Sequence, residues 1–186
     1  MTQTRNDVVT TLIDDHRAVE RVFQELESRE DNPQQRRELA DHVIAELVRH
    51  SVAEEQYLYP AVRKALQDGD QLADHEISEH AEAERTMKDL DGMDPTDPRF
   101  DELLGKLMSE VRHHVQDEES DLFPRLREAC AETELVELGE RVVRAKESAP
   151  TRPHPSAPDK PPMNKILAPG AGLVDKMRDA LTGRTT

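Results

Sequence analysis

Two stretches of this sequence share one pattern: HSVAEEQYLYP at residues 50–60 and HVQDEESDLFP at residues 114–124. Both read H-x-x-x-E-E-x-x-L-[YF]-P, and they are offset by 64 residues (114 − 50). Three further pairs keep this offset: His16 and His80, Glu20 and Glu84, and Glu46 and Glu110. Repetition of a whole segment at a fixed offset indicates a repeated structural unit. The chain is therefore predicted to contain a duplicated helical hairpin.

Apolar residues recur at helical spacing through both copies, separated by breaks rich in proline, glycine and aspartate. We predict four long helices, at 7–29, 33–66, 71–90 and 99–130, and a short fifth helix at 134–146. Pro60 and Pro124 fall inside the second and fourth helices, where proline kinks a helix. The expected fold is all-α: an antiparallel up-down-up-down four-helix bundle with kinked second and fourth helices.

The end of the chain differs in composition from the rest. Seven of the 12 prolines lie between Pro150 and Pro169, which is typical of an extended, mobile segment. We therefore predict one domain at 1–147 and a Pro-rich flexible tail at 148–186. Near its end, residues 173–181 form a short amphipathic segment that either docks or stays disordered.

Composition and charge restrict the partners of the protein. The net charge of −15 argues against nucleic acid, because phosphate binding needs a basic face. No apolar run approaches the length of a membrane span, and residues 1–7 lack the features of a signal peptide. Cys130 is the only cysteine, which suits a reducing compartment. A cytoplasmic protein that contacts neither nucleic acid nor membrane is expected.

The repeated motif also predicts a metal site. His50 and Glu54 lie four residues apart, so they share one helix face, and the second motif repeats this arrangement. A buried carboxylate is costly unless it is paired or bound to metal. Imidazole and carboxylate together suit iron, manganese or zinc, and two carboxylates that can bridge favour two metals over one. The predicted ligands are His16, His50, Glu54, His80, His114 and Glu118. The other histidines, His42, His75, His113 and His154, have no counterpart in the repeat and are predicted to lie on the surface.

The pattern H…HxxxE…H…HxxxE over four helices resembles the hemerythrin-like, or HHE cation-binding, family across about residues 7–130. The resemblance implies a four-helix bundle around two iron ions (Fe²⁺/Fe³⁺) joined by an oxo or hydroxo group, with manganese or zinc as weaker candidates. It implies that Glu54 and Glu118 bridge the ions. His16 and His50 would then hold one ion, and the other two predicted histidines would hold the second.

Three more residues are candidates for the ligand shell or its pocket. Oxygen-carrying hemerythrins have an additional histidine one turn before the third-helix histidine, where this chain has Glu76. They also use a carboxylate five residues after the fourth-helix histidine, which would be Glu119 rather than Glu118. Tyr57 shares the α-helical face of Glu54 and either hydrogen-bonds a ligand or is an ordinary core tyrosine. The repeat counterpart of Glu76 is Leu12, so the two halves of the site are expected to differ.

Two functions follow from the resemblance. The first is a protein that binds or senses O₂, NO or a related small ligand, or iron itself, with the tail as a contact for a protein partner. The alternative is an enzyme that decomposes hydrogen peroxide in a catalase-like reaction. The sequence does not decide whether the chain is an enzyme, and the binding protein is favoured.

Overall fold

The computed structural model describes residues 7–28, 32–155, 171–176 and 179, and these residues form helices joined by turns and short irregular segments. The helices are α1 (Val8–Ser28), α2 (Pro33–Ala53), α3 (Tyr59–Ala65), α4 (Gly69–Leu90), α5 (Pro98–Asp117), α6 (Phe123–Ala129) and α7 (Glu132–Ser148). The all-α class is thus confirmed for the described residues. None of their helices combines the length and apolar character needed to cross a membrane.

The predicted second and fourth helices each contain a π-helical turn. One spans Glu54–Leu58 between α2 and α3, and the other spans Glu118–Leu122 between α5 and α6. In each turn the backbone N–H of the residue before the proline donates to the carbonyl oxygen of the glutamate five residues earlier. Each proline follows the wider turn, in the first turn of the next α-helical segment, where a missing N–H does not break the helix.

Local chemistry sets the helix boundaries. Asn32 accepts a hydrogen bond from the Gln35 N–H, and Pro33 follows at the first helical position of α2. Asp97 and Pro98 repeat this arrangement at the start of α5. Gly69 begins α4 where a Cβ would collide with the carbonyl oxygen of Val62, so the turn from α3 to α4 requires glycine.

Two clusters of buried apolar residues form the core, and the histidines lie between them along each long helix. On α1, Leu12 belongs to the first cluster, His16 follows, and Phe23 belongs to the second cluster. The same order holds on α4, whereas α2, and the run from α5 through the second π turn to α6, pass from the second cluster to the first. The helix α7 packs on α1, α2 and the first π turn. The four predicted histidines therefore come to one level between the clusters.

Part of the predicted tail is packed on the helices. Arg152 is buried, and its guanidinium lies 3.0 Å from Asp91 Oδ1 and 2.7 Å from Asp179 Oδ1. Asp175 Oδ2 accepts hydrogen bonds from the backbone N–H groups of Thr151 and Arg152, and Leu173 is exposed. Residues 156–170, 177, 178 and 180–186 lie outside the described residues, and the prediction of a flexible tail stays a prediction there.

Candidate metal centre

The structure brings together the six predicted ligands, and all six are buried. His16 Nε2 lies 3.2 Å from His50 Nε2, and His80 Nε2 lies 3.1 Å from His114 Nε2. Each pair joins two neighbouring helices, α1 with α2 and α4 with α5. The imidazoles are therefore arranged as two pairs, and each pair presents its Nε2 atoms to the interior. The ligands in question are His16, His50, Glu54, His80, His114 and Glu118.

The two glutamates connect the histidine pairs. Glu54 Oε1 lies 3.1 Å from His50 Nε2, and its other oxygen lies 3.3 Å from His80 Nε2. Glu118 Oε2 lies 3.4 Å from His16 Nε2 and 3.7 Å from His114 Nε2. Each carboxylate therefore contacts one histidine from each pair, which is the geometry expected of a bridging ligand.

These residues fit metal ions on physical grounds. Glu54 and Glu118 are fully buried, and both oxygens of Glu54 and Oε2 of Glu118 receive no hydrogen bond within the described part of the chain. Buried charged oxygens without donors are costly, and a cation removes that cost. The ligand atoms of His16, His50, Glu54 and Glu118 lie within 4.8 Å of one another, and so do those of Glu54, His80 and His114. The cluster is thus able to hold metal in each half.

An outer ring of carboxylates orients the histidines through their Nδ1 atoms. Glu119 Oε1 lies 2.9 Å from His16, and Asp15 Oδ2 lies 3.4 Å from His50. In the other half, Glu55 Oε1 lies 3.2 Å from His80 and Glu79 Oε2 lies 3.0 Å from His114. A carboxylate on the outer nitrogen fixes the ring so that Nε2 faces the interior, as is usual for metal-binding histidines.

The orienting role of Asp15 and Glu79 was not predicted from the sequence. A signal was present, because all four acids directly adjoin a predicted ligand and Asp15 and Glu79 share the repeat offset. Glu119 was a candidate metal ligand in the sequence, but its Oε1 atom lies 2.9 Å from the outer nitrogen of His16 instead. Its other oxygen lies 2.6 Å from Arg17.

Tyr59, rather than the predicted Tyr57, provides the phenol at the cluster. Its hydroxyl is buried, lies 3.1 Å from His80 Nε2 and donates a 3.1 Å hydrogen bond to Glu118 Oε1. The prediction assumed α-helical spacing, in which residues three or four apart share a face. In a π turn, residues five apart lie on the same face of the helix. Tyr59 therefore lies one turn after Glu54 on the face of the cluster. Tyr57 packs at the edge of the first apolar cluster.

The two halves of the cluster are chemically different. The repeat counterpart of Tyr59 is Phe123, whose ring stacks on His16 with centroids 5.8 Å apart. Glu76, whose counterpart is Leu12, is buried with Oε2 3.0 Å from the outer nitrogen of His114. The predicted asymmetry is therefore present in the structure. The His80/His114 half carries a phenol and an additional carboxylate, and the His16/His50 half has apolar residues at the same positions.

Burial and charge shift several pKa values in opposite directions. Burial alone would lower the pKa of His50, but the negative charges of Glu54 and Asp15 outweigh it and raise the pKa to about 10. Burial would raise the pKa of Glu54, yet the neighbouring histidines hold it well below its usual range. Burial and the surrounding carboxylates raise the pKa of Tyr59, and burial also raises the pKa of Glu76. At neutral pH the imidazole of His50 therefore carries an additional proton in the metal-free protein.

A small cavity of about 30 Å³ adjoins all four histidines. This volume holds about two water-sized molecules. Most of its wall is apolar, formed by Val19, Leu47, Ala83, Met87, Val111 and Val115, and its polar positions are Ser51, Glu79 and Glu110. Tyr57, Glu76 and Glu119 are not among the lining residues. The cavity therefore lies against the four imidazoles, and Glu54 and Glu118 are not among its lining residues.

Comparisons with known proteins identify the family of this chain and several similar proteins. The model of the hemerythrin HHE cation binding domain family matches residues 7–126. An uncharacterised hemerythrin-like protein of Schizosaccharomyces pombe is 31% identical over 168 residues, which cover 90% of this chain and 82% of the yeast protein. A DNA nickase of Nostoc sp. is 34% identical over 113 residues, which cover 61% of this chain but only 31% of that protein.

A solved structure shows a likeness of fold. The crystal structure of a hemerythrin HHE cation binding domain-containing protein from Mycobacterium kansasii has a TM-score of 0.64, with 22% sequence identity. The match covers 76% of this chain and 86% of that chain. With a family match over most of the helical region and a buried cluster of four histidines and two glutamates, the chain belongs to the hemerythrin HHE cation-binding domain family.

Proposed function

We propose that this chain holds two iron ions and binds a small ligand such as O₂ or NO beside them. The observation that carries the proposal is the cavity of about 30 Å³ at the four histidines, whose size admits a diatomic molecule and whose wall is mainly apolar. Two iron ions held side by side would supply electrons and open coordination positions for such a ligand. Apolar walls limit the entry of water and of larger polar molecules.

Different residues would bind the metal ions and hold the metal ligands in place. Glu54 and Glu118 reach both histidine pairs and would bridge the ions, and the outer carboxylates keep each imidazole in place. The Tyr59 hydroxyl donates a hydrogen bond to Glu118 Oε1, which leaves Oε2 of that carboxylate available to metal. We further propose that the four long helical runs form the up-down-up-down bundle, supported by the opposite order of the apolar clusters along successive helices.

The cavity provides a direct test. Ala83→Leu adds three carbon atoms to the wall and fills most of a cavity of this size. Ala81→Leu, on the same helix and outside the lining residues, is the matched control. With iron loaded and reduced under anaerobic conditions, NO binding followed by absorption should weaken at least tenfold in Ala83→Leu and not in Ala81→Leu. Both variants should keep two irons per chain, and unchanged NO binding in Ala83→Leu would refute the assigned pocket.

A second function, peroxide decomposition, is favoured by one specific observation. Glu110 lines the cavity, and its Oε2 atom is buried with no hydrogen-bond partner among the described residues, so it can accept or deliver a proton. Iron-loaded protein mixed with hydrogen peroxide should then release oxygen, and Glu110→Gln should slow the release. No release above that of free iron would eliminate this function.

Partners and location follow the same proposal. We infer a cytoplasmic protein whose ligand is a diatomic molecule or peroxide, with the Pro-rich tail as a contact for a protein partner. The cleavage of DNA named for the Nostoc relative is not extended to this chain, because the match covers 31% of that protein. The net charge of −15 also opposes DNA binding.

A further inference from the structure

A second group of metal-binding side chains lies on the surface of α4 and α5. His75 and Glu79 are four residues apart on α4, and His113 and Asp117 are four residues apart on α5. Residues at this spacing share one helix face, so each helix presents an imidazole beside a carboxylate. The two helices pack against each other, which brings the two pairs together.

The ligand atoms of His75, Glu79 and Asp117 lie within 4.8 Å of one another, and His113 contacts both carboxylates at slightly more than the separation expected around one ion. Glu79 Oε1 lies 3.6 Å from Nε2 of His75 and 3.6 Å from Nε2 of His113. Asp117 Oδ2 lies 3.9 Å from Nε2 of His75 and 3.8 Å from Nε2 of His113. Ligands bound tetrahedrally at about 2.0–2.2 Å from zinc are about 3.3–3.6 Å apart. Small side-chain rotations would bring these atoms to that separation, and the side chains of His75 and His113 are 55% and 65% exposed.

The group belongs to the second hairpin alone. The repeat counterparts of His75, His113 and Asp117 are Thr11, Arg49 and Ala53, none of which is a usual metal ligand. In the first hairpin the counterpart of Glu79 is Asp15, which is neutralised by Lys146 Nζ at 2.6 Å. In the first hairpin the outer carboxylate of Asp15 is thus paired with an ammonium group. In the second hairpin the outer carboxylate of Glu79 has two imidazoles and a further carboxylate beside it.

We propose that His75, Glu79 and Asp117, with His113 as a further donor, form an exposed site for a divalent transition-metal ion such as Zn²⁺. Two imidazoles and two carboxylates suit zinc, cobalt or nickel. The site shares Glu79 with the buried cluster: Oε1 faces the surface histidines, and Oε2 lies 3.0 Å from His114 Nδ1. An ion bound at the surface would be coordinated by the same carboxylate that orients His114. The surface site and the buried cluster are therefore connected through the side chain of Glu79.

The test is a metal count on the full-length protein. Its resident metal content is measured first, and Zn²⁺ is then added under equilibrium dialysis and the bound zinc determined by elemental analysis. Wild type should bind one further equivalent. The double variant His75→Gln/His113→Gln should bind this equivalent at least tenfold more weakly with unchanged resident metal. Asp117→Asn should also weaken binding without touching His114, and His42→Gln, on α2, is the control.

Each outcome decides the proposal. Wild type that takes up no zinc beyond its resident content, or a double variant that binds it as tightly, overturns the surface site. The shared role of Glu79 rests on the proposed iron centre. In protein that holds two irons per chain, added Zn²⁺ should shift the absorption of the buried centre in wild type but not in the double variant. An unchanged absorption overturns that coupling, and a chain without resident iron contradicts the proposed function while leaving the zinc count valid.

Discussion

Removal of the Tyr59 hydroxyl tests the arrangement produced by the first π turn. Tyr59→Phe keeps the ring in a fully buried position and deletes only the group that donates to Glu118 Oε1. Phenylalanine is sterically suitable, since Phe123 occupies the matching position of the repeat. The substitution leaves a buried carboxylate oxygen without its donor, and hydrogen bonds to charged groups contribute about 1.5–3 kcal/mol.

The expected loss is therefore about 2 kcal/mol in the free energy of unfolding of the metal-free protein. For a chain of this length, that loss corresponds to a fall in Tm of about 4–8 °C. Calorimetry after removal of metal with a chelator measures it. The pairwise contribution comes from a double-mutant cycle with Glu118→Gln, in which the cost of Tyr59→Phe should shrink by about 1 kcal/mol or more.

Two results would refute this reasoning. The first is a Tyr59→Phe protein whose unfolding free energy stays within about 0.5 kcal/mol of wild type, the range of ordinary surface substitutions. The second is full additivity with Glu118→Gln, which would mean that the hydroxyl does not interact with that carboxylate. Either result would indicate that the Tyr59 hydroxyl does not donate to Glu118 Oε1.

Three other perturbations have expected outcomes. Glu54→Ala removes a carboxylate that reaches both histidine pairs, so metal per chain should fall and Tm of the metal-loaded protein should drop with it; unchanged metal content by elemental analysis would contradict bridging. Because the pKa of His50 is raised to about 10, the metal-free protein holds a proton there at pH 7 that metal must displace. Metal binding should therefore release protons and weaken as pH falls. Calorimetric titrations in buffers of different ionisation enthalpy measure this release, and the absence of proton release would contradict the prediction. Arg152→Ala removes the guanidinium that contacts Asp91 and Asp179, which should lower the free energy of unfolding by about 1.5–3 kcal/mol and speed proteolysis after Ser148. Proteolysis at the wild-type rate would argue against a docked tail.

The sequence alone determined the helical class and the six residues of the cluster. It did so because the constraints are local or repeated: the spacing of His50 and Glu54 is a property of one helix, and the offset of 64 identifies equivalent positions without knowledge of packing. The asymmetry at Glu76 and Leu12 was visible for the same reason. The boundaries also agree closely, since the proline and glycine breaks act on the backbone where they occur.

Only the tertiary structure decided which side chains complete the site. A π turn changes the phase of a helix, and its position depends on the packing around it, so Tyr59 rather than Tyr57 donates to Glu118. Each outer imidazole nitrogen has its partner on another helix or π turn, and His75 and His113 also lie on different helices. Sequence spacing specifies the face of one helix, whereas contacts between helices depend on how the faces are brought together in space.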